Sequence, residues 1–417
     1  MDRRNMTEIV NAFVCGGIVA ATASHGVTLT EVPRANWTNG VTVPSYTKMY
    51  VYVPAKLAAK PPIVVSSHSC GSSASGQAGN MTKFLATADK NGYVMIFPDN
   101  PGQNCWDVGS KQALTHDGGG DPHAVAQMVR YALKQYKGDS TRVYAVGGSS
   151  GAMMTQALLG VYPEMFVAGA PRAGVPCGCW AESYASSNQW SGPCATGKVS
   201  KTAQDWGDYV RAINPNYKGH RPRVQIFHGD ADATIDYNNL KEGVKEWTNV
   251  LGLPTAPTTK ESIKTAAYSY SRESWKNTCG YTVLEAWTAP GQPHGMTYEE
   301  DSIIKFFGLN TVGGQDPELA ACGGAGIEAG MAAVSPSLAI HGQELVVDGL
   351  RGDQAHVTVA NTAGQILYDT DRELSSSTTR IPFAAVVAKP GAYILSAVLY
   401  DHGRAVDRAM LGFVYAK

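Results

Sequence analysis

The chain has 417 residues, of which 44% are hydrophobic and 17% charged, and its formal net charge is -1. That length leaves room for two or three domains, and the composition suits a globular protein with a large core. A balance so near zero offers no electrostatic footprint for nucleic acid or for an anionic membrane, so neither is expected as a partner.

At the N-terminus, Arg3 and Arg4 precede a moderately apolar run from Ile9 to Ala23 that closes on Ala21-Thr22-Ala23. A basic start, an apolar stretch and a small-x-small end read as a secretory signal over residues 1–24. The protein is therefore expected outside the cell. Its eight cysteines fit an oxidising compartment, and removal of Cys15 with the signal leaves an odd thiol. Cys177 and Cys179 lie one residue apart with no histidine cluster nearby, which argues against zinc.

Residues 25–45 read as an extended lead-in. Met49 to Val53, Ile63 to Ser67 and Gly92 to Phe97 carry strand signals, and Met81 to Asn91 has helical character. Asp121 to Lys137 reads as an amphipathic helix, with Asp121 as its N-cap, Pro122 in its first turn, and Val125, Met128, Val129, Ala132 and Leu133 on one side. Next comes the short apolar strand Val143-Tyr144-Ala145-Val146. It runs into Gly147-Gly148-Ser149-Ser150-Gly151 and then a helix through Leu159, stopped by Gly160 and Pro163. Strand, Gly-x-Ser-x-Gly, helix is the context of a nucleophile elbow, in which a crowded reversal needs small residues on either side of an exposed serine.

Further strands are expected at Phe166 to Ala170, Val224 to His228 and Thr282 to Thr288, and helices at Asn239 to Leu251 and Tyr298 to Phe307. This alternation predicts an α/β domain with a mainly parallel sheet over residues 25–310. Residues 311–334 are Gly- and Ala-rich and read as a linker. From 335 to 417 short apolar runs alternate with turn residues, which predicts a small β-sandwich accessory domain.

A serine hydrolase of α/β-hydrolase order needs an acid and then a base after the nucleophile. Val224-Gln225-Ile226-Phe227 leads into His228, Gly229, Asp230, Ala231 and Asp232, so a carboxylate follows a buried strand. Either Asp230 or Asp232 suits the acid, and Asp230, nearer the strand, could instead cap the turn. His294 lies on a Pro- and Gly-flanked loop after the last strand, where a base could reach Ser149. His228, at a strand end, reads as a packing residue. The oxyanion hole would combine the N–H of Ser150 with one from the loop after Ile63 to Ser67, for which Cys70 is the candidate and His68 a brace.

Seven ordered stretches carry a family resemblance. They are His68-Ser69-Cys70, Cys105-Trp106-Asp107, the run from Leu114 to Asp121, the run from Ser149 to Met154, Gln204 to Asp208, His228 to Asp232, and Pro293-His294-Gly295. Together they resemble carbohydrate esterase family 1, the secreted acetylxylan and feruloyl esterases, and the related extracellular polyhydroxybutyrate depolymerases. The resemblance implies an α/β-hydrolase fold with Ser149 as nucleophile, Asp232 as acid and His294 as base, and no metal or cofactor. It implies a Cys70–Cys105 disulfide and suggests Cys179–Cys194; Cys279–Cys322 would be a third. Trp106 and Trp206 could stack on sugar rings or serve as packing residues. The implied partner is plant cell-wall polysaccharide, acetylated or feruloylated xylan. The Leu114–Asp121 and Gln204–Asp208 stretches look more like acetylxylan esterases than polyester depolymerases. Ser69 departs from the family's glycine between His and Cys, where backbone freedom could bear on the oxyanion loop.

Overall fold

In the computed structural model, residues 28–183, 190–215 and 217–322 are described, together with seven strands between 337 and 415. The signal expected at 1–24 lies outside them. Ten strands form one sheet: β1 (Thr30–Val32), β2 (Lys48–Tyr52), β3 (Ile63–Ser67), β4 (Val94–Asp99), β5 (Val143–Gly148), β6 (Ala168–Arg172), β7 (Arg223–Gly229), β8 (Thr259–Lys264), β9 (Ser269–Lys276) and β10 (Thr282–Ala289). The helices in chain order are α1 (Arg34–Thr38), α2 (Ala74–Gly79), α3 (Thr82–Asn91), α4 (Asp121–Gln135), α5 (Ser150–Val161), α6 (Gly192–Ala195), α7 (Ala203–Ile213), α8 (Asn238–Val250), α9 (Glu300–Phe306) and α10 (Pro317–Cys322).

The sheet order is β1-β2-β4-β3-β5-β6-β7-β10-β9-β8. The strands from β4 through β3, β5, β6 and β7 to β10 pair in parallel, and the outer pairs are antiparallel. Successive strand residues face opposite sides, which divides the core in two. Ile63, Val65, Val143 and Ala145 meet α4, α5, α7 and α8 on one face. Val64, Tyr144 and Val146 meet α3 and α9 on the other. Every residue of α5 is buried, Ser150, Thr155 and Gln156 included. This is an α/β-hydrolase sheet sandwiched between helices. Beyond it, β11 (Ser337–His341), β12 (Glu344–Asp348), β13 (Gln354–Asn361), β14 (Ile366–Glu373), β15 (Thr378–Pro382), β16 (Gly391–Asp401) and β17 (Arg404–Tyr415) form two antiparallel sheets, β11-β12-β15 and β14-β13-β16-β17.

Several expectations need correction. The lead-in holds β1 on the edge of the sheet and a helix, α1, whose Trp37 is buried. The linker does not begin at 311. Arg142 donates to the carbonyls of Gly308, Gly313 and Gly314, and Arg223 pairs with Asp316, both side chains being buried. Tyr144 also donates to Asp316, at 3.0 Å. Helix α10 then reaches Cys322, which is bridged to Cys279. Residues up to 322 therefore belong to the α/β domain, held by charges that a Gly- and Ala-rich composition conceals.

The N-cap of α4 is Gly120 rather than Asp121. Asp121 is the first helical residue and faces inward, accepting from the Asp107 N–H at 2.9 Å and the Tyr46 hydroxyl at 2.8 Å. Burial pushes its carboxyl from 3.8 up to about 7, against those two hydrogen bonds.

Two predictions follow from these buried acids. Asp316→Ala strips buried Arg223 of its hydrogen-bonded carboxylate and leaves it Glu318, 3.5 Å from Nη1, so it should cost about 3 kcal/mol in chemical denaturation, the lower end for breaking a buried pair; a loss below about 1 kcal/mol would show the pair to be dispensable. For Asp121, the folded state keeps a proton that the unfolded chain releases at lower pH. Stability should therefore fall as pH rises from 3.8 to about 7 and level off above. Asp121→Asn should flatten that slope, as read from urea midpoints on either side of the interval. An unchanged slope would assign the pH dependence to other groups.

Candidate active site

Strands β5, β7 and β10 end on one edge of the sheet, and each hands over to a loop carrying one of the expected site residues. Ser149 sits between β5 and α5 with φ 55° and ψ -123°. Its N–H donates to the Arg172 carbonyl at 2.9 Å. The glycines explain how the reversal fits. A Cβ on Gly151 would lie 2.1 Å from the Ser67 carbonyl oxygen, and one on Gly147 would lie 2.2 Å from the Gly151 oxygen. Helix α5 thus packs directly on the end of β3, with Ser149 turned outward.

The three residues meet. The Ser149 Oγ is 2.8 Å from His294 Nε2, and His294 Nδ1 is 2.8 Å from Asp232 Oδ2. Because the carboxylate only accepts, Nδ1 carries the proton and Nε2 is left to accept from the serine. The other Asp232 oxygen accepts from the N–H groups of Thr234 and Ile235, each at 2.9 Å. Burial alone would raise this carboxyl, but hydrogen bonds from His228, His294 and the Ile235 N–H outweigh it and hold it well below 3.8. Asp232 is thus held as an anion behind His294.

Asp230 takes the other part. It is exposed and accepts from the Gly291 N–H at 2.6 Å, tying the two loops together. A Cβ on Gly229 would lie 2.1 Å from the Gln292 carbonyl oxygen, so these loops touch backbone to backbone. His228 is more than packing. Its Nε2–H reaches the Ile235 carbonyl at 2.8 Å and lies 3.2 Å from Asp232 Oδ2, adding a second donor to the acid.

The oxyanion candidates lie on adjoining segments. Ser150 is the first residue of α5, where the helix ladder offers its N–H no acceptor. Cys70 follows β3 and is bridged to Cys105. The Gly71 N–H donates to the Asn104 carbonyl at 2.7 Å, and the Ser69 hydroxyl to the Gly148 carbonyl at 2.9 Å. His68 donates from Nδ1 to the Ser69 carbonyl at 2.8 Å, and its Nε2 lies 3.3 Å from Asp99.

The sugar-stacking reading of the two tryptophans is corrected. Trp106 is 1% exposed and Trp206 is fully buried, so neither ring has a face for a ligand. Trp106 donates from its backbone N–H to Ser150 Oγ at 2.8 Å and from Nε1 to the His68 carbonyl at 2.9 Å. It clamps the loop carrying Cys70 onto the elbow. Trp206 donates to Glu242 at 2.8 Å beneath α8. The signal for Trp106 was present in its neighbour Cys105, since a residue beside a disulfide at the elbow is held against it. Cys179 is bridged to Cys194, and Cys177 is a buried free thiol.

The chain is similar to known proteins over much of its length. Residues 45–196 match the family model described as Esterase PHB depolymerase. A protein of Aspergillus flavus named "Probable acetylxylan esterase A" is 36% identical over 311 residues, covering 73% of this chain and 98% of the relative. "Feruloyl esterase B" of Thermothelomyces thermophilus is 40% identical over 271 residues, covering 64% of this chain and 89% of its own length. The solved acetyl xylan esterase from Aspergillus awamori superposes with a TM-score of 0.61 at 34% identity, over 68% of this chain and all of that one. The stapled elbow and the extent of these matches lead to one assignment: the chain belongs to the acetylxylan and feruloyl esterases of carbohydrate esterase family 1, relatives of the polyhydroxybutyrate depolymerases.

Proposed function

We propose that this protein is a secreted serine carboxylesterase that removes acetyl groups from acetylated xylan. The observation that carries the mechanism is the unbroken run of hydrogen bonds from Ser149 Oγ through His294 to Asp232. His294 Nε2 takes the Ser149 proton as Oγ attacks the ester carbonyl. The Ser150 and Cys70 N–H groups receive the oxyanion. Collapse breaks the bond to the sugar oxygen, which takes the proton from His294 and leaves as a hydroxyl, and an acetyl-serine remains. Water, deprotonated by His294, then releases acetate and restores Ser149. Asp232 stays ionised throughout and steadies the imidazolium.

Three further observations support the setting. The His294 side chain is 22% exposed, so the reacting groups lie where a polymer can reach them. The disulfides Cys70–Cys105, Cys179–Cys194 and Cys279–Cys322 suit an oxidising environment outside the cell. Among the described residues no helix is long and apolar enough to cross a membrane. A feruloyl esterase acting on arabinoxylan is the second reading, favoured by the 40% identity to the fungal feruloyl esterase. Polyhydroxybutyrate hydrolysis is a third, favoured by the family model. Residues 335–417 are proposed as an accessory domain without an assigned role.

The test is release of acetate and of ferulate from native xylans by the purified protein and by Ser149→Ala. Acetate release that drops by on the order of 10⁴-fold in the variant is expected. Ferulate as the product would move the substrate to feruloylated arabinoxylan, and clearing of a polyhydroxybutyrate suspension alone would move it to polyesters. Activity surviving in Ser149→Ala would overturn the mechanism.

A further inference from the structure

We infer that Arg172 is a positioning residue for ester hydrolysis, holding the nucleophile with its backbone and the base with its side chain; this rests on the Ser149–His294 reading above. Arg172 ends β6, directly opposite Gly148 of β5. Its carbonyl accepts the Ser149 N–H at 2.9 Å. Its guanidinium Nη1 donates to the His294 carbonyl at 3.2 Å and to the Met296 carbonyl, gripping the base loop on both sides of Gly295. One residue thus fixes the distance between the two groups that exchange a proton.

The surroundings fit this role better than a purely packing one. Arg172 is 8% exposed, and among the described residues it forms no ion pair. Its Nε is buried without a partner. A buried cation that spends its donors on carbonyls is a costly way to fill space, and an apolar side chain of like length would do that better. The guanidinium is also held on two sides. A Cβ on Gly148 would lie 2.2 Å from Nη2, so the elbow is shaped to admit it. On another side the Tyr298 ring lies 4.5 Å from Cζ. Gln77 donates to the Tyr298 hydroxyl at 3.2 Å and to Ser66 of β3 at 2.9 Å, tying the clamp back to the sheet.

The test compares wild type, Arg172→Met, Arg172→Lys, Arg172→Ala and Ser149→Ala on p-nitrophenyl acetate. Met keeps an apolar stem and removes the guanidinium with every side-chain donor. Its kcat should fall roughly 10- to 100-fold, as for a catalytic group displaced by about an ångström. KM should stay within about twofold, since the lost interaction acts on the transition state. Millimolar guanidinium should raise the kcat of Arg172→Ala and leave that of wild type unchanged, which a merely structural defect would not do. Should Arg172→Met not fold, Arg172→Lys replaces it, because its stem ends one bond short of the Nη1 position that reaches both carbonyls and it lacks the planar group seated between Gly148 and Tyr298. A wild-type kcat in the Met or Lys variant, with Ser149→Ala inactive, overturns the role of Arg172 alone. Activity in Ser149→Ala overturns the site and the role together.

Discussion

A serine held at φ 55° between a strand and a helix is a conformation that an unconstrained chain avoids, at a cost of about 1–3 kcal/mol. It persists because everything around it is over-determined. Helix α5 cannot draw back from β3, since the backbone of Gly151 lies against the Ser67 carbonyl. Residue 149 cannot turn inward, since its N–H is held by Arg172 across the strand pair. The parallel core supplies the rigidity, and α5, buried along its whole length, transmits it. Oγ is thereby fixed in the one direction from which His294 can meet it.

The electrostatic arrangement depends on the same rigidity. Asp232 is an anion taken largely out of water and kept ionised by two backbone N–H groups and two imidazoles. Removing any donor would shift its balance toward the proton, because burial works against the charge. The loops bearing Asp232 and His294 interlock at Gly229 and Gln292 and through Asp230 to Gly291. Across the serine, Cys70–Cys105 and Trp106 staple the proposed oxyanion segment to the elbow. The proposed nucleophile, base and oxyanion donors are each fixed at the same edge of the sheet.

Much of this was legible in the sequence because it is written locally. Apolar β-branched runs marked the central strands, and the small residues of the elbow announced a reversal that only they can make. Other features were hidden for physical reasons. Hairpin β8–β9 is mostly solvated, and Thr259–Lys264 has no apolar face to show a strand period. Asp121 has the residue type of a cap, yet its side chain turns to residue 107, a contact no local pattern encodes. Asp316 reads as one polar residue among glycines until β7 brings Arg223 to it. The tryptophans adjoin family motifs, and adjacency cannot distinguish a ring that faces solvent from one that clamps a loop. Arg172 follows Ala170 and Pro171 with no motif around it; its importance comes from strand neighbours and from a loop more than a hundred residues away.

The stretch from Leu114 to Asp121 shows what a family motif can and cannot carry. Its polar groups are engaged within the protein. His116 meets Glu164 at 2.7 Å, Asp117 accepts from Arg130 at 3.0 Å and lies 3.3 Å from His123, and Asp121 faces Tyr46 and Asp107. Its glycines are equally structural, as a Cβ on Gly118 or Gly120 would strike residues 112 and 113 at about 2.5 Å. The motif therefore builds the turn into α4 and secures the tryptophan loop from behind. It identifies the scaffold because the scaffold needs it, and the charged groups of the motif already have partners within the protein. Selection of the acyl group must instead come from what frames Ser149 directly: the turn after β3 and the loop around His294.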